Sequence, residues 1–545
     1  MKTLATFLVF MGIFSAHVQA LAPLPPKKKV VLRPGPNGGN TTFDQLIDHS
    51  NPSLGTFPQR YWWNTTYWGG LGFPQVIFNT PGESAGDFYG DILTNETLPG
   101  LYAQAVRGAV VMLEHRYWGK SSPYQVLDTQ NLTHLTLKNS IDDVVRFART
   151  VRLPFDRSGR TNAPRAPWVM AGFSYSGALA AWINKLSPGT FWAYHASSAP
   201  VEAIHDFWQY WEPVRKGMPQ NCSNDMILIA DHVDKMLESD SETEIRELKA
   251  MFGLEDLQSQ SDFASYWDIF PSPIARYDIF YQMCDSIQGV RPVELDPDVF
   301  RPSTYTPTPI DPEREVSADG VGLQRALGNY AEWFTNEFLP LKRCQGPEYS
   351  QPNNTNSVEC LVWDNATNPK FTDLSVDNPW NRQWIWMVCN EPFFYFQTAA
   401  PPGHPSLSSR ANNAEYYDRL CRNFFPSQRQ AKSSASNGRT AEALNAMTDG
   451  WFVNTTRLLW VNGEFDPWRS ASVSSEFRPG GPLQSTDDTP VYLIKGARHC
   501  NDLFTWWGER NQEIGLVQQQ AVAKMSGWVK DFYNSTKRHQ AGWAW

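Results

Sequence analysis

Short apolar runs alternate with helical periodicity through the first two hundred residues. Val76-Ile77-Phe78 is a brief apolar run that stops at Asn79-Thr80-Pro81-Gly82, which predicts a buried strand opening into a loop. Ala109 to Leu113 predicts a second strand. Leu137, Ile141, Val144, Val145 and Phe147 then fall on spacings of three and four, the stripe of an amphipathic helix. Trp168-Val169-Met170-Ala171 predicts a third strand, which reaches Ser174 and passes into a helix bearing Leu179, Trp182 and Ile183. Strands alternating with helices predict an α/β protein with a parallel sheet wrapped by helices.

From about Val201 to Asp377 the pattern changes. Met226 to Met251 reads as amphipathic helix, and Pro-rich stretches such as Arg301 to Asp311 separate the pieces. Leu458 to Val461 and Val491 to Ile494 then restore the strand pattern, with a Ser-rich loop over Ser427 to Arg439 before them. The expected organisation is an α/β part over 42–200, an inserted, mainly helical cap over 201–377, and a second α/β part over 378–545.

The chain ends add a location. Lys2, the apolar run Leu4 to Phe14 and the small residues closing Val18-Gln19-Ala20 form a signal-peptide pattern over 1–20. That run is too short to span a bilayer of roughly 30 Å, and no later run is long enough, so a secreted, extracellular protein is expected. Residues 21–41, rich in Pro, Gly and Lys, read as an extended leader or propeptide. Asn-x-Ser/Thr sequons at Asn40, Asn64, Asn95, Asn131, Asn221, Asn353, Asn365, Asn454 and Asn534 predict a glycosylated surface. Seven cysteines fit an oxidising compartment; sequential pairing of Cys222, Cys284, Cys344, Cys360, Cys389 and Cys421 would leave Cys500 over, one of 15 connectivities. The net charge of -9 and the lack of a basic tract argue against a nucleic-acid partner. No zinc-type Cys or His spacing occurs, so no metal and no cofactor is expected.

Gly172-Phe173-Ser174-Tyr175-Ser176-Gly177 lies between an apolar strand and a helix, where a nucleophile elbow belongs. Ser176 takes the second Gly position of the usual Gly-x-Ser-x-Gly pattern. A nucleophilic serine needs a base, and the base an orienting carboxylate. Asp466 and His499 each follow a late strand, in the order Ser, Asp, His; Glu464 is a competing carboxylate. His115 stands at a strand end before the serine, out of order, and reads with Glu114 and Arg116 as a polar network supporting the elbow; His49 and His195 read as structural. The oxyanion hole is expected from the N–H of Tyr175 and a second donor in the loop Thr80 to Ser84, where Pro81 has none and Gly82 is the candidate.

Further motifs carry a resemblance. Phe43 to His49, Leu113 to Ser121, Ser174 to Trp182, Ser198-Ala199-Pro200, Trp386 to Glu391 and Asn462 to Trp468 together resemble the prolyl carboxypeptidase and dipeptidyl peptidase II family of serine peptidases, which includes secreted fungal prolyl endopeptidases. The resemblance runs from about residue 43 to the end and is weak over about 220 to 370. It implies an α/β-hydrolase fold with a helical cap, peptide or protein substrates usually cut after proline, and Asp466 rather than Glu464 as the triad acid. It also implies Trp468 as a pocket wall for the proline ring and makes Glu83 a candidate for binding a substrate N-terminus; where some relatives carry a larger apolar lining residue this chain has Ala178, and Phe393 and Phe394 are the candidates to compensate. A homodimer is admitted by the resemblance alone; a membrane partner is not expected.

The expected activity is therefore a secreted serine-type, carboxypeptidase-like exopeptidase favouring cleavage after proline. The alternatives are a prolyl endopeptidase or dipeptidyl peptidase of the same family, or an esterase on the same fold. Arg498, beside His499, is expected to lower the pKa of that histidine against the pull of Asp466.

Overall fold

Strand β5 (Trp168–Phe173) is buried at every position, the signature of a parallel strand covered on both faces. Its alternate residues serve two cores. Trp168 and Met170 pack on one side of the sheet; Val169, Ala171 and Phe173 pack on the other. The computed structural model describes residues 37–80, 93–267, 277–290, 317–341, 357–378, 380–391, 393–426 and 439–541. The expected signal peptide, Gly82, Glu83, Cys344 and Asn353 lie outside these residues.

Eight strands form one sheet. They are β1 (Gly38–Leu46), β2 (Thr56–Asn64), β3 (Gln75–Thr80), β4 (Ala109–Glu114), β5, β6 (Ala193–Ser197) and, after two short strands, β9 (Leu458–Gly463) and β10 (Val491–Ile494). Their spatial order is β1-β2-β4-β3-β5-β6-β9-β10. From β4 to β10 all neighbours are parallel, while β1, β2 and β4 pair antiparallel. This is the α/β-hydrolase fold. The antiparallel hairpin was not expected from the sequence, and β1 begins at Gly38, inside the stretch read as a leader.

Helices α1 (Leu98–Val106), α2 (Leu137–Thr150) and α3 (Tyr175–Leu186) connect the early strands. Thr136 caps α2 by accepting the N–H of Asn139 at 3.0 Å, satisfying one of the free donors of the first turn. Leu179, Trp182 and Ile183 of α3 fill the first core. Leu98 and Tyr102 of α1 fill the second, with Ile514, Val517, Ala521 and Met525 of the long C-terminal helix Gln512–Ala541.

Between β6 and β9 the chain inserts a mainly helical segment. It holds β7 (Ile204–Asp206), which pairs in parallel with β8 (Phe394–Phe396). The helix expected over Met226 to Met251 is two helices, α4 (Gln220–Leu237) and a second over Glu242–Met251. Ser241 ends the gap between them by capping the second helix through the N–H of Glu244. Cys222–Cys284 joins α4 to α5 (Tyr277–Gln288), and Cys389–Cys421 joins α6 (Arg382–Asn390) to α7 (Ala414–Phe424). Cys360 is also disulfide-bonded, and Cys500 is a buried free thiol. Among the described residues no helix is long and apolar enough to cross a membrane, and no cluster of three or more His, Cys, Asp or Glu could hold a metal ion.

Candidate active site

Ser174 stands between β5 and α3 with φ +60° and ψ -131°, a backbone state that non-glycine residues rarely occupy. The turn is this tight because its neighbours are small. A Cβ on Gly172 would lie 2.0 Å from the carbonyl oxygen of Ser176, and one on Gly177 would meet the Ser197 oxygen at 2.8 Å and Ala199 Cβ at 3.0 Å. Gly177 therefore lets α3 approach β6, while Ser176, in the usual glycine position, is fully buried.

Tyr175, the candidate oxyanion donor, is the first residue of α3, where backbone N–H groups have no partner within the helix. Its side chain is locked from behind. His115 Nδ1 lies 2.9 Å from the Arg116 carbonyl oxygen, so Nδ1 carries the proton and Nε2 accepts the Tyr175 hydroxyl at 3.3 Å. Burial keeps that imidazole neutral, with a pKa pushed down to about 4. Trp384 and Phe393 hold the Tyr175 ring at 5.5 and 5.6 Å. Arg116 in turn grips Asp143 through two bonds of 2.6 and 2.7 Å, and His49 reaches the same carboxylate at 2.8 Å.

Asp466 and His499 meet because β9 and β10 end side by side. Gly463 closes β9 against the histidine loop, where a Cβ would lie 2.4 Å from the Arg498 oxygen and 2.6 Å from that of Ala497. Phe465 N–H donates to the Ala497 oxygen at 2.9 Å. Asp466 Oδ1 caps the turn Pro467–Ala471 by accepting the Trp468 N–H at 2.9 Å and also accepts His499 Nδ1–H at 2.9 Å. His499 Nε2 is buried and, among the described residues, has no hydrogen-bond partner. Burial disfavours the His499 imidazolium, but the Asp466 carboxylate and Cys500 outweigh it and hold its pKa above the ordinary value. Burial itself pushes the Cys500 thiol up.

Glu464 does not join this pair; its carboxylate accepts the Gly496 N–H at 2.8 Å. The Arg498 guanidinium turns to the inserted segment, where Nη2 donates to the Tyr281 hydroxyl at 3.2 Å, and the net effect on His499 is upward and set by Asp466.

Trp468 is buried, and its ring lies 6.4 Å from that of His499. Tyr395, Tyr210 and Phe207 surround it at 5.3, 5.4 and 5.9 Å. These three partners were not foreseen; the aromatic runs Phe207-Trp208-Gln209-Tyr210-Trp211 and Phe393-Phe394-Tyr395-Phe396 were their local signals. Phe394 lies in β8, but its side chain, like Gly82 and Glu83, falls outside what is described.

The family described as Serine carboxypeptidase S28 matches residues 45–286 and 344–520. "Serine protease vicPb" of Bipolaris victoriae is 41% identical over 538 residues, covering 97% of this chain and 95% of the relative. "Serine protease vicPa" of the same fungus is 43% identical, with 91% and 89% covered. "Probable extracellular serine carboxypeptidase" of Arthroderma benhamiae is 28% identical, with 87% and 64% covered.

Proposed function

Because the chain belongs to the serine carboxypeptidase S28 family and is a serine-type peptidase, we propose that it is a secreted, carboxypeptidase-like exopeptidase that cuts peptides after proline with Ser174, Asp466 and His499 as its triad. The observation that carries the triad is the His499–Asp466 hydrogen bond, which leaves the other ring nitrogen without a hydrogen-bond partner among the described residues; this reading assigns it to Ser174. In this reading His499 Nε2 takes the proton of Ser174 Oγ as the oxygen attacks the scissile carbonyl. Asp466 fixes the tautomer and stabilises the imidazolium, which then protonates the leaving amine. The Tyr175 N–H, reinforced by the dipole of α3, stabilises the oxyanion, with Gly82 the candidate second donor. Water, activated by the same histidine, releases the acyl group and restores the serine.

Trp468 and its aromatic neighbours support an apolar, ring-shaped residue before the cut. Phe394 and Glu83 stay in the proposal as further substrate contacts. Secretion is supported by the extracellular relative and by exposed sequon asparagines at Asn40, Asn95, Asn365, Asn454 and Asn534. Asn221 is a poorer acceptor, since its side chain donates to Gln288 at 3.1 Å and Cys222 beside it is disulfide-bonded.

The test is a mass-spectrometric digest of a mixed peptide library, run beside Ser174→Ala. Loss in the variant of cuts one residue from the C-terminus, enriched after proline, is the expected result. Internal cuts, or cuts two residues from the N-terminus, would replace the exopeptidase reading with the endopeptidase or dipeptidyl one. Ester turnover without peptide turnover would favour the esterase.

A further inference from the structure

Strand β6 lies between the strands that lead to Ser174 and Asp466, and the segment just past it is bonded to all three candidate triad segments. Ser174 N–H donates to the Ser197 oxygen at 2.9 Å, and Ser198 N–H donates to the Val461 oxygen of β9 at 2.8 Å. The third connection runs through side chains. Cys500, the residue after His499, donates its N–H to Ser198 Oγ at 2.9 Å. Two residues on, Asp502 receives the Ser197 hydroxyl on Oδ1 at 2.5 Å and His195 Nε2 on Oδ2 at 2.9 Å.

His195 Nδ1 faces the Tyr102 hydroxyl at 2.8 Å. One proton assignment satisfies the chain: Tyr102 donates to Nδ1, Nε2–H donates to an ionised Asp502, and Ser197 donates to its other oxygen. Asp502, His195 and Ser197 are all at most 1% exposed, so removing any member strands a buried polar partner. Ser197, His195 and Asp502 look like a second serine–histidine–carboxylate set, but the connectivity differs. Serine and histidine both bond the carboxylate, and the remaining ring nitrogen faces a tyrosine, so His195 cannot take a proton from Ser197. The set is built as a clamp.

Ser198 and Cys500, the two ends of the bond between β6 and the histidine loop, have φ of +50° and +53°. Non-glycine residues stay in this region where their surroundings hold them. A hydrogen bond between two such residues, flanked by the Asp502 clamp, fixes the path of the loop that carries His499.

We propose that Ser198 and Asp502 are positioning residues that hold the His499 loop on the end of β6, so that this strand brings the base into register with Ser174 and Asp466. The inference rests on the triad reading above. Ser198→Gly tests it cleanly, because glycine accepts the left-handed backbone and only the acceptor for Cys500 N–H is lost. Asp502→Asn is the second variant, placing an amide nitrogen against one of two donors.

The measurement is kcat and KM per active site, counted by the end-point of labelling with a serine-directed phosphonate, with the labelling rate as a second readout. A role in stability alone would lower the count and leave kcat per site intact. The expected result is a fall in kcat and in labelling rate of roughly 10- to 100-fold, with KM within about twofold. Wild-type kcat per site in both variants would overturn the inference. Ser174→Ala and His499→Ala, run alongside, separate the two failures: if they keep turnover, the triad reading itself falls; if they are dead while Ser198→Gly and Asp502→Asn are both fully active, only the positioning role falls.

Discussion

His499 turns one ring nitrogen to Asp466, with Nδ1 2.9 Å from Oδ1, and leaves the other buried without a hydrogen-bond partner among the described residues. Because Oδ1 also accepts the Trp468 N–H, the carboxylate cannot rotate without losing a backbone bond as well. The proton on Nδ1 is thereby fixed, and Nε2 is left as an acceptor.

Asp466→Asn removes the charge that stabilises the imidazolium; because Trp468 N–H and His499 Nδ1–H share Oδ1, a flipped amide that turns its N–H to Nδ1 and favours the wrong tautomer also loses the Trp468 bond. The expected fall in kcat is about 10⁴-fold. The pH dependence moves too. Asp466 is what holds the His499 pKa up, so without it the acid limb of kcat/KM shifts to lower pH. A pH series on wild type and variant checks both; an unmoved limb would show that another group titrates.

Gly463→Ala probes the contact that brings acid and base together. The added Cβ meets two backbone oxygens of the histidine loop within 2.6 Å, and backbone cannot swing aside as a flexible side chain can. The loop must shift, costing about 1–3 kcal/mol of stability. A displacement near 1 Å at His499 lowers kcat by roughly 100-fold with KM little changed. Unchanged kcat with a lowered Tm would mean that the loop yields without moving the base.

Much of this site was legible because Ser174 and Asp466 each follow a parallel strand covered on both faces, which reads as an unbroken apolar run, and His499 follows the edge strand β10, apolar in sequence although Leu493 is exposed. The hairpin β1–β2 was not, because its inward positions include Gln45 and Gln59, buried polar residues that pair with each other at 2.9 Å. A pattern of apolar positions cannot register such a face. His195 was read as structural, but Asp502 went unnoticed: its partner is 307 residues away, and nothing local marks an acid as half of a clamp. The break between Leu237 and Glu242 was lost in an amphipathic pattern that continues across it.

Glu391 gives stability a pH dependence. Its carboxyl accepts the Leu137 N–H and pairs with Arg439, each at 2.8 Å, yet burial pushes its pKa up to about 7 from an ordinary 4.5. A carboxyl raised in the folded state holds a proton that the unfolded chain has released. Stability therefore falls as pH rises from about 4.5 to about 7, by an amount on the order of 1–3 kcal/mol. Glu391→Gln retains an acceptor for Leu137 and loses little with Arg439, whose side chain is 45% exposed. Tm measured from pH 5 to 8 should fall less steeply in the variant; parallel curves would remove Glu391 from the account.

Trp468 separates a pocket role from a packing role. A buried Trp→Ala change costs about 3–5 kcal/mol wherever it occurs, so stability alone decides nothing. Specificity does. The indole lies beside His499 and is walled by Tyr210, Tyr395 and Phe207, so a substrate ring resting on it would lose its main apolar surface in Trp468→Ala. The backbone N–H that serves Asp466 survives the change, so the contact that orients this carboxylate toward His499 is retained. Per titrated site, kcat/KM for a proline-containing peptide should fall roughly 10- to 100-fold more than for its alanine counterpart, with Trp468→Phe intermediate. Equal losses on the two peptides would assign Trp468 to the core and move the choice of residue before the cut to other side chains.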